Sequence, residues 1–357
     1  DAVELAKGSG RGHGLVNAVL RRAAREGPAL LAELDDETPE RAAIAHSHPL
    51  WIARLWWQEL GAADARALLA FDNEPAELAL RANTLVGDAQ TLIAELGDVV
   101  RADPGIPEAL VVDGPFDVHG SPRWRDGAFI AQSRAAMLPA RVLAPQPGER
   151  VLDLCAAPGG KSTHLAALMA DRGEVVAVER NPRRAADLAR TAQRMRATCV
   201  RVVRADAAQP LDGERQFDRV LVDPPCSGLG TLQARADLRW RVTAESIPQL
   251  ARTQARILAT GAAAVRPGGV LVYSTCTISP SENEHQIFAF LESNSDFRLD
   301  DLWGQTASEG FDAVPLGASE GFDAVPLGVP AMDGRAVLTL PHRDRTAGFF
   351  IARLRRS

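Results

Sequence analysis

The pattern of apolar and polar positions changes period near the middle of the chain. Beyond residue 150, short apolar runs alternate with longer amphipathic segments. The runs at 151–154, 174–178, 200–204, 218–222 and 269–273 are rich in Val and Leu and bounded by Gly, Pro or charged residues, which predicts buried strands. Between them, 162–170, 182–196, 244–265 and 281–293 repeat apolar residues every three or four positions, which predicts helices. This is the βαβ rhythm of a mostly parallel sheet. A hairpin, 336–340 with 348–354, closes the chain.

Upstream the pattern is helical first and mixed later. Leu15, Val16, Val19 and Leu20 follow helical spacing, with arginines toward the far end, where the helix dipole favours cations. Gly27-Pro28 is expected to stop this helix. It reads either as a bundle helix with a solvated basic end or as an RNA-facing surface using Arg11, Arg21, Arg22 and Arg25. Residues 38–70 read as helical up to Gly61, with Trp51, Leu55 and Trp56 on one face, as core packing requires. Residues 78–83, 99–101 and 109–112 are strand-like and 88–96 helical, punctuated by Pro104, Gly105, Pro107 and Gly114-Pro115. Residues 127–143 predict one helix leading into the main domain. The expected division is helical at 1–70, a small α+β module at 73–118 and the main domain at 120–357. An 11-residue unit, ASEGFDAVPLG, occurs at 307–317 and again at 318–328. Two copies do not build a solenoid, so the reading is a duplicated surface loop.

Composition narrows the class. With 46% hydrophobic and 24% charged residues the chain reads as globular. No apolar run approaches the roughly 20 residues of a membrane span, and no signal peptide opens it, so a cytoplasmic location is expected. The chain begins at Asp1, which suggests a fragment or a processed form. A net charge of −6 argues against a uniformly basic nucleic-acid coat and leaves room for a local basic groove. Cys155, Cys199, Cys226 and Cys276 contain no C-x-x-C pair, so no zinc site and no metal are expected, and free thiols are expected over disulfides.

The candidate chemistry begins at 151–162, VLDLCAAPGGKS, a strand, a tight turn and a helix start. Gly159 and Gly160 let the backbone approach a ligand, and the helix start aims free N–H groups there. The dinucleotide pattern G-x-G-x-x-G is absent, and Cys155 stands where a P-loop needs its first glycine. An S-adenosylmethionine loop, a degenerate P-loop and a plain structural turn stay open on this stretch alone. Lys161 is one of only two lysines, with Lys7, in an otherwise arginine-based chain. Glu179 ends the next strand about 20 residues on, where an acid accepts ribose hydroxyls. Its alternative is an exposed pair with Arg180 or Arg183. Asp206 ends the third strand, either near an adenine amino group or as a loop cap.

Asp223-Pro224-Pro225-Cys226-Ser227-Gly228 follows the fourth strand, and Ser274-Thr275-Cys276-Thr277 the fifth. Open α/β sheets bind ligands at this carboxyl edge. In an amino-group methyltransferase the first tetrapeptide ends in a base-stacking aromatic; a thiol there points away from nitrogen chemistry. Carbon 5 of a pyrimidine is a poor nucleophile until a thiolate adds to carbon 6. It can then take a methyl group, lose its proton and expel the thiol. That chemistry needs an activated cysteine, a partner near ring nitrogen 3 and a second group for release. Cys276, Asp223 and Cys226 can supply them. The base must be unstacked to expose its face.

CAAPGGKS (155–162), DPPCSG (223–228) and STCT (274–277), in this order, resemble the RsmB/Sun (Fmu) branch of the RNA 5-methylcytosine methyltransferases. SHPLW (47–51) and LRANTL (80–85) resemble its pre-catalytic region, and 1–27 looks like the tail of its NusB-like helical domain. The resemblance implies a Rossmann-like, class I α/β methyltransferase domain, preceded by a small α+β module that helps hold RNA and by a NusB-like helical remnant. It implies that Cys155, Ala156, Ala157, Pro158, Gly159, Gly160, Lys161, Glu179, Asp206 and Asp223 contact S-adenosylmethionine. Cys276 would be the nucleophile and Cys226 would resolve the adduct, on a cytosine of small-subunit ribosomal RNA. The rival classes are a P-loop NTPase and a non-catalytic RNA-binding assembly factor, the latter having no need of either thiol. A thermal-shift comparison separates the first rival: S-adenosylmethionine should raise the melting temperature and ATP with Mg²⁺ should leave it unchanged.

Overall fold

The computed structural model describes residues 2–8, 12–211, 216–302 and 327–357. Arg11 and, but for its last two residues, the tandem repeat lie outside them. The chain forms two compact units, Asp1–Asn73 and Glu74–Ser357.

The first unit is helical. The helix His13–Ala32 contains Pro28 and does not stop at Gly27-Pro28. The proline removes one hydrogen bond, but the helix formers at 29–32 continue the ladder beyond it. No residue of this helix is buried. Thr38 caps Pro39–Ala45 by accepting from the Arg41 N–H. Gly61, at φ 80° and ψ 165°, is non-helical and divides Leu50–Phe71 into two helical runs, so it ends the first as expected and the chain turns helical again after it. Trp56 is fully buried beside His48, whose Nε2 lies 3.3 Å from Asp72 Oδ2.

The second unit holds two sheets. Strands β1 (Ala79–Ala82), β2 (Val100–Ala102), β3 (Ala109–Val112) and β4 (Phe129–Ala131) form an antiparallel sheet ordered β2-β3-β1-β4. Leu80, Leu110 and Phe129 pack with Leu92 of the helix Ala89–Leu96. β4 corrects the expectation of a single helix over 127–143. Residues 129–131 pair with β1, Gln132 N–H donates to the Ala79 carbonyl, and Ser133 then caps the helix Arg134–Leu143. The helical period therefore begins at the cap, and the apolar residues before it belong to a strand.

The main sheet uses β5 (Arg150–Leu154), β6 (Glu174–Val178), β7 (Val200–Val203), β8 (Phe217–Val222), β9 (Val265–Thr275), β10 (Phe297–Leu299), β11 (Val329–Ala331), β12 (Ala336–Leu338) and β13 (Phe350–Arg356). Its order is β11-β12-β13-β9-β8-β5-β6-β7, with β10 beside β13. Strands β5 to β9 are mutually parallel; β13 runs antiparallel to β9 and pairs with β12 in the expected terminal hairpin. Alternation sends Leu152, Val176, Val220 and Leu271 toward Ile257 and Leu258 of the helix Ser246–Ala264. Val151, Val175, Leu221 and Val272 face Leu138 of Arg134–Leu143 and Leu165 of the helix Gly160–Leu168. Both faces are thus covered, as a parallel sheet needs. Each such side chain contributes roughly 1.5–3 kcal/mol by burial. The chain leaves β5 toward β6 and enters β9 from β8 in the opposite direction, so the switch point lies between β5 and β8. No helix of the described residues is long and apolar enough to cross a membrane.

A buried polar cluster joins the small sheet to the main one. Arg81 of β1 is fully buried; its Nε donates to Gln132 Oε1 at 2.9 Å and its Nη2 to Thr163 Oγ1 at 2.8 Å and the Gly160 carbonyl at 3.3 Å. Burial pulls its pKa down to about 9. Glu108 accepts from Arg141 Nη1 at 2.8 Å and meets His164 Nε2 at 2.7 Å. Burial, reinforced by the charge of Arg81, pulls His164 down to about 4. At neutral pH the imidazole is therefore uncharged and donates to Glu108, whose compensating charge is Arg141. Burial works against the Glu108 carboxylate, but these partners hold its pKa near about 2.

The unfolded chain takes up the His164 proton near pH 6.5 and the folded chain only near 4. The stability of neutral His164 is thus complete above pH 6.5 and is lost as the pH falls toward 4. Between pH 7 and pH 5 the native protein should lose about 2 kcal/mol that His164→Gln does not lose, measured by urea unfolding of both.

Candidate active site

The turn after β5 is held by its own backbone. Cys155 takes a left-handed φ of 66°, Ala156 N–H donates to the Val178 carbonyl, and Gly159 N–H returns to the Ala156 carbonyl. Gly159 sits at φ 105°, where a Cβ would lie 2.8 Å from Leu188 Cδ1, so only glycine fits. Gly160 then opens the helix. Burial pushes the Cys155 thiol up to about 12, which leaves it an inert packing group. All four cysteines are free.

Beside this turn a cavity of about 260 Å³ opens across the ends of β5, β6 and β7. Cys155, Glu179 and Asp206 line it from the three strand ends, and Val178, Ala207, Pro225 and Ile257 give it apolar walls. Glu179 is buried; its Oε1 accepts from Asn181 N–H and its Oε2 lies 3.5 Å from Arg184. Neither Arg180 nor Arg183 is the partner. Asp206 is exposed and caps Ala208 N–H through Oδ1 at 3.0 Å, so it is both a loop cap and a cavity residue.

The second part of the site lies at the ends of β8 and β9. Val222 pairs with Tyr273, which brings the two following loops to one height. Cys226 Sγ and Cys276 Sγ are 3.3 Å apart. The hydrogen bond from Cys226 holds the Cys276 thiol below its ordinary pKa against burial and the Asp223 charge, with help from Lys161 and Arg235. The same bond, with burial, pushes Cys226 well above its ordinary value. Of the two thiols, Cys276 is therefore the one that ionises more readily. Lys161 Nζ donates to Asp223 Oδ2 at 2.7 Å and lies 5.1 Å from the centre of the Phe349 ring. Burial opposes the Lys161 charge, but Asp223, Cys276 and Asp153 raise its pKa. Ser274 Oγ donates to Asp223 Oδ1 at 2.9 Å. Under the turn, burial and the charge of Asp223 raise Asp153 to about 7, although Ser162 Oγ donates to it at 2.6 Å.

Sequence reasoning missed the groups that hold these loops. Glu282 is fully buried. Its Oε1 accepts from Ser227 N–H at 2.8 Å and Gln254 Nε2 at 2.9 Å, and its Oε2 accepts from Ser227 Oγ at 2.5 Å. Gln254 also donates to the Pro225 carbonyl, and Tyr273 OH to the Glu282 carbonyl. Asn283 Oδ1 accepts from Thr275 Oγ1 and its Nδ2 donates to the Thr277 carbonyl. Both thiol loops thus hang on residues 282 and 283. The sole hint in the sequence is a set of polar residues inside apolar-periodic segments.

The family model for the 16S rRNA methyltransferase RsmB/F matches residues 140–355, and that for the RsmF/B-like ferredoxin-like domain matches residues 48–119. A probable ribosomal RNA small subunit methyltransferase B of Synechocystis sp. is 37% identical over 99% of this chain and 77% of its own length. The chain belongs to the RsmB/F methyltransferase family. A relative of the same description in Bacillus subtilis is 32% identical over the whole of this chain and 77% of its own. The crystal structure of a methyltransferase homolog protein from Pyrococcus horikoshii superposes with a TM-score of 0.74 at 26% identity, over 88% of this chain and 98% of that one. The fold is the Rossmann-like, class I fold, and the activity is S-adenosylmethionine-dependent methylation of ribosomal RNA.

The cavity fits the adenosyl part of that cofactor: two carboxylates stand at adjacent strand ends where ribose and adenine donors would meet them, between apolar walls. Cys155, at the head of the glycine turn, and Pro225, which precedes Cys226 in the chain, are part of its lining. Truncating Glu282 to Ala would leave the buried N–H donors of Ser227 and Gln254 unpaired, at about 1–3 kcal/mol each, while the Ser227 hydroxyl can turn to Thr277 Oγ1. Urea unfolding should therefore show a loss of at least about 2 kcal/mol for Glu282→Ala, and methyl transfer should fall even where the variant is fully folded.

Proposed function

We propose that the chain methylates carbon 5 of a cytosine in small-subunit ribosomal RNA through a covalent bond between Cys276 and carbon 6. The observation that carries this reading is the pair of sulfur atoms 3.3 Å apart, with the Cys276 thiol held below its ordinary value and Cys226 above it. Cys155 to Lys161, Glu179, Asp206 and Asp223 would hold S-adenosylmethionine. When bound, it supplies an electrophilic methyl group.

The residues of the chain do the rest. Cys276 Sγ bonds to carbon 6, and the ring electrons shift toward carbon 5 and the edge bearing nitrogen 3. Lys161 and Asp223 together offer a donor and an acceptor, the combination a cytosine edge requires. After methylation the proton on carbon 5 leaves to a base, its electron pair restores the ring, and the bond from Cys276 breaks. Cys226, which keeps its proton, donates to the departing thiolate. The antiparallel sheet β1–β4 would support the RNA, and the helical unit would be the remnant of a NusB-like domain.

Cys226→Ala protein mixed with S-adenosylmethionine and small-subunit rRNA should give a slow-migrating protein–RNA species on a denaturing gel. It should vanish in the Cys226→Ala/Cys276→Ala double variant. Cys276→Ser should fold normally and transfer no methyl group. Methyl transfer by Cys276→Ser would remove Cys276 from its role, and a chain that binds RNA and S-adenosylmethionine without turnover would be an assembly factor.

A further inference from the structure

The segment from Gly228 to Arg241 lies against the thiol loops and is firmly seated. Gly230 N–H donates to the Cys276 carbonyl at 3.1 Å, and Gly348 N–H to the Gly230 carbonyl at 2.7 Å. Leu229, Leu232 and Leu238 are buried. A Cβ on Gly230 would meet the Gly348 carbonyl oxygen at 2.1 Å, so the two backbones are in direct contact. On this rigid base stands Trp240, 64% exposed. In the unit Glu74–Ser357 only Trp240 and Phe288 are exposed large hydrophobics among the described residues. The unit leaves an indole in water on the short helix Leu238–Arg241, a few residues along the chain from the turn whose Gly230 touches the Cys276 backbone.

The charge around it is positive in a chain whose net charge is −6. Of the three arginines at 235–241, Arg239 is buried and Arg241 pairs with Asp237 at 2.9 Å, which leaves Arg235 as the exposed cation of the segment. Arg235 is exposed and close enough to help hold Cys276 low. An exposed aromatic face beside an arginine is the combination that holds a single strand: the base stacks and the phosphate meets the cation. An acidic or apolar protein surface would use the arginine or the indole, but has no need of both on one short segment.

We propose that Trp240 is a stacking platform for a nucleobase of the substrate strand next to the target cytosine, with Arg235 contacting its backbone phosphate. This deepens the reading of the thiol site as one that takes an unstacked base from RNA. It makes the segment 228–241 a positioning element that grips the flanking nucleotide while the target enters.

The test is binding of a short fluorescein-labelled single-stranded RNA from small-subunit rRNA, followed by anisotropy across a series of KCl concentrations. Trp240→Ala should weaken binding about tenfold with the salt dependence unchanged, and Trp240→Phe should restore most of it. Arg235→Gln should weaken binding and lower the slope of log K against log salt by about one. S-adenosylmethionine affinity should be unaltered in all three. Wild-type binding by Trp240→Ala, or equal loss in the Phe and Ala variants, would overturn the proposal, as would capture of a protein partner lost in Trp240→Ala with RNA binding intact. The readout needs no methyl transfer. A failed gel-shift adduct with a Trp240 effect would sink the carbon-5 mechanism alone, and an adduct with no Trp240 effect would sink the platform alone.

Discussion

Two sulfur atoms can stand 3.3 Å apart only if the loops bearing them end at the same height and cannot drift. β8 and β9 are parallel neighbours in register, Val222 against Tyr273, so Cys226 and Cys276 leave the same edge of the sheet. Strand pairing sets the height but leaves the loops free to splay. The buried carboxylate of Glu282 removes that freedom, because its oxygens bind the Ser227 backbone, the Ser227 hydroxyl and Gln254 at once. A carboxylate in so dry a place is tolerable only while its donors stay in place, which makes the network rigid as a unit.

The electrostatics follow from this placement. The charge of Asp223 raises both thiols, and that of Glu282 raises Cys226 as well. Lys161 is the compact cation that offsets them, bound to Asp223 and stacked on Phe349. Its short reach from the first turn of the Gly160–Leu168 helix ties the glycine turn to the thiol loops through Asp223.

The small antiparallel sheet is bound into the same arrangement. Arg81 carries a β1 side chain into the first turn of that helix, and Glu108 draws Arg141 and His164 together behind it. A guanidinium at no exposure, held by neutral acceptors, requires fixed geometry on both sides. Displacing the sheet would strand that charge, so the two sheets keep one spacing.

The strands β5 to β9, the glycine turn, both thiols and the carboxylates at the strand ends were legible in the chain itself. Their signals are local: a run of Val and Leu, a Gly-Gly before a helix, a motif placed just after a strand. Local signals misled where a neighbour decided the outcome. Residues 129–131 became β4 because β1 offered an edge to pair with, and the helix at 13–32 passed Pro28 because good helix formers follow it. Tertiary structure alone decided the sulfur separation, which of the two thiols is lowered, and the roles of Arg81, Gln254, Glu282 and Asn283. Those properties depend on distances between residues far apart in sequence. A polar side chain in an amphipathic segment reads as solvent-facing until the fold shows that it meets a partner and not water.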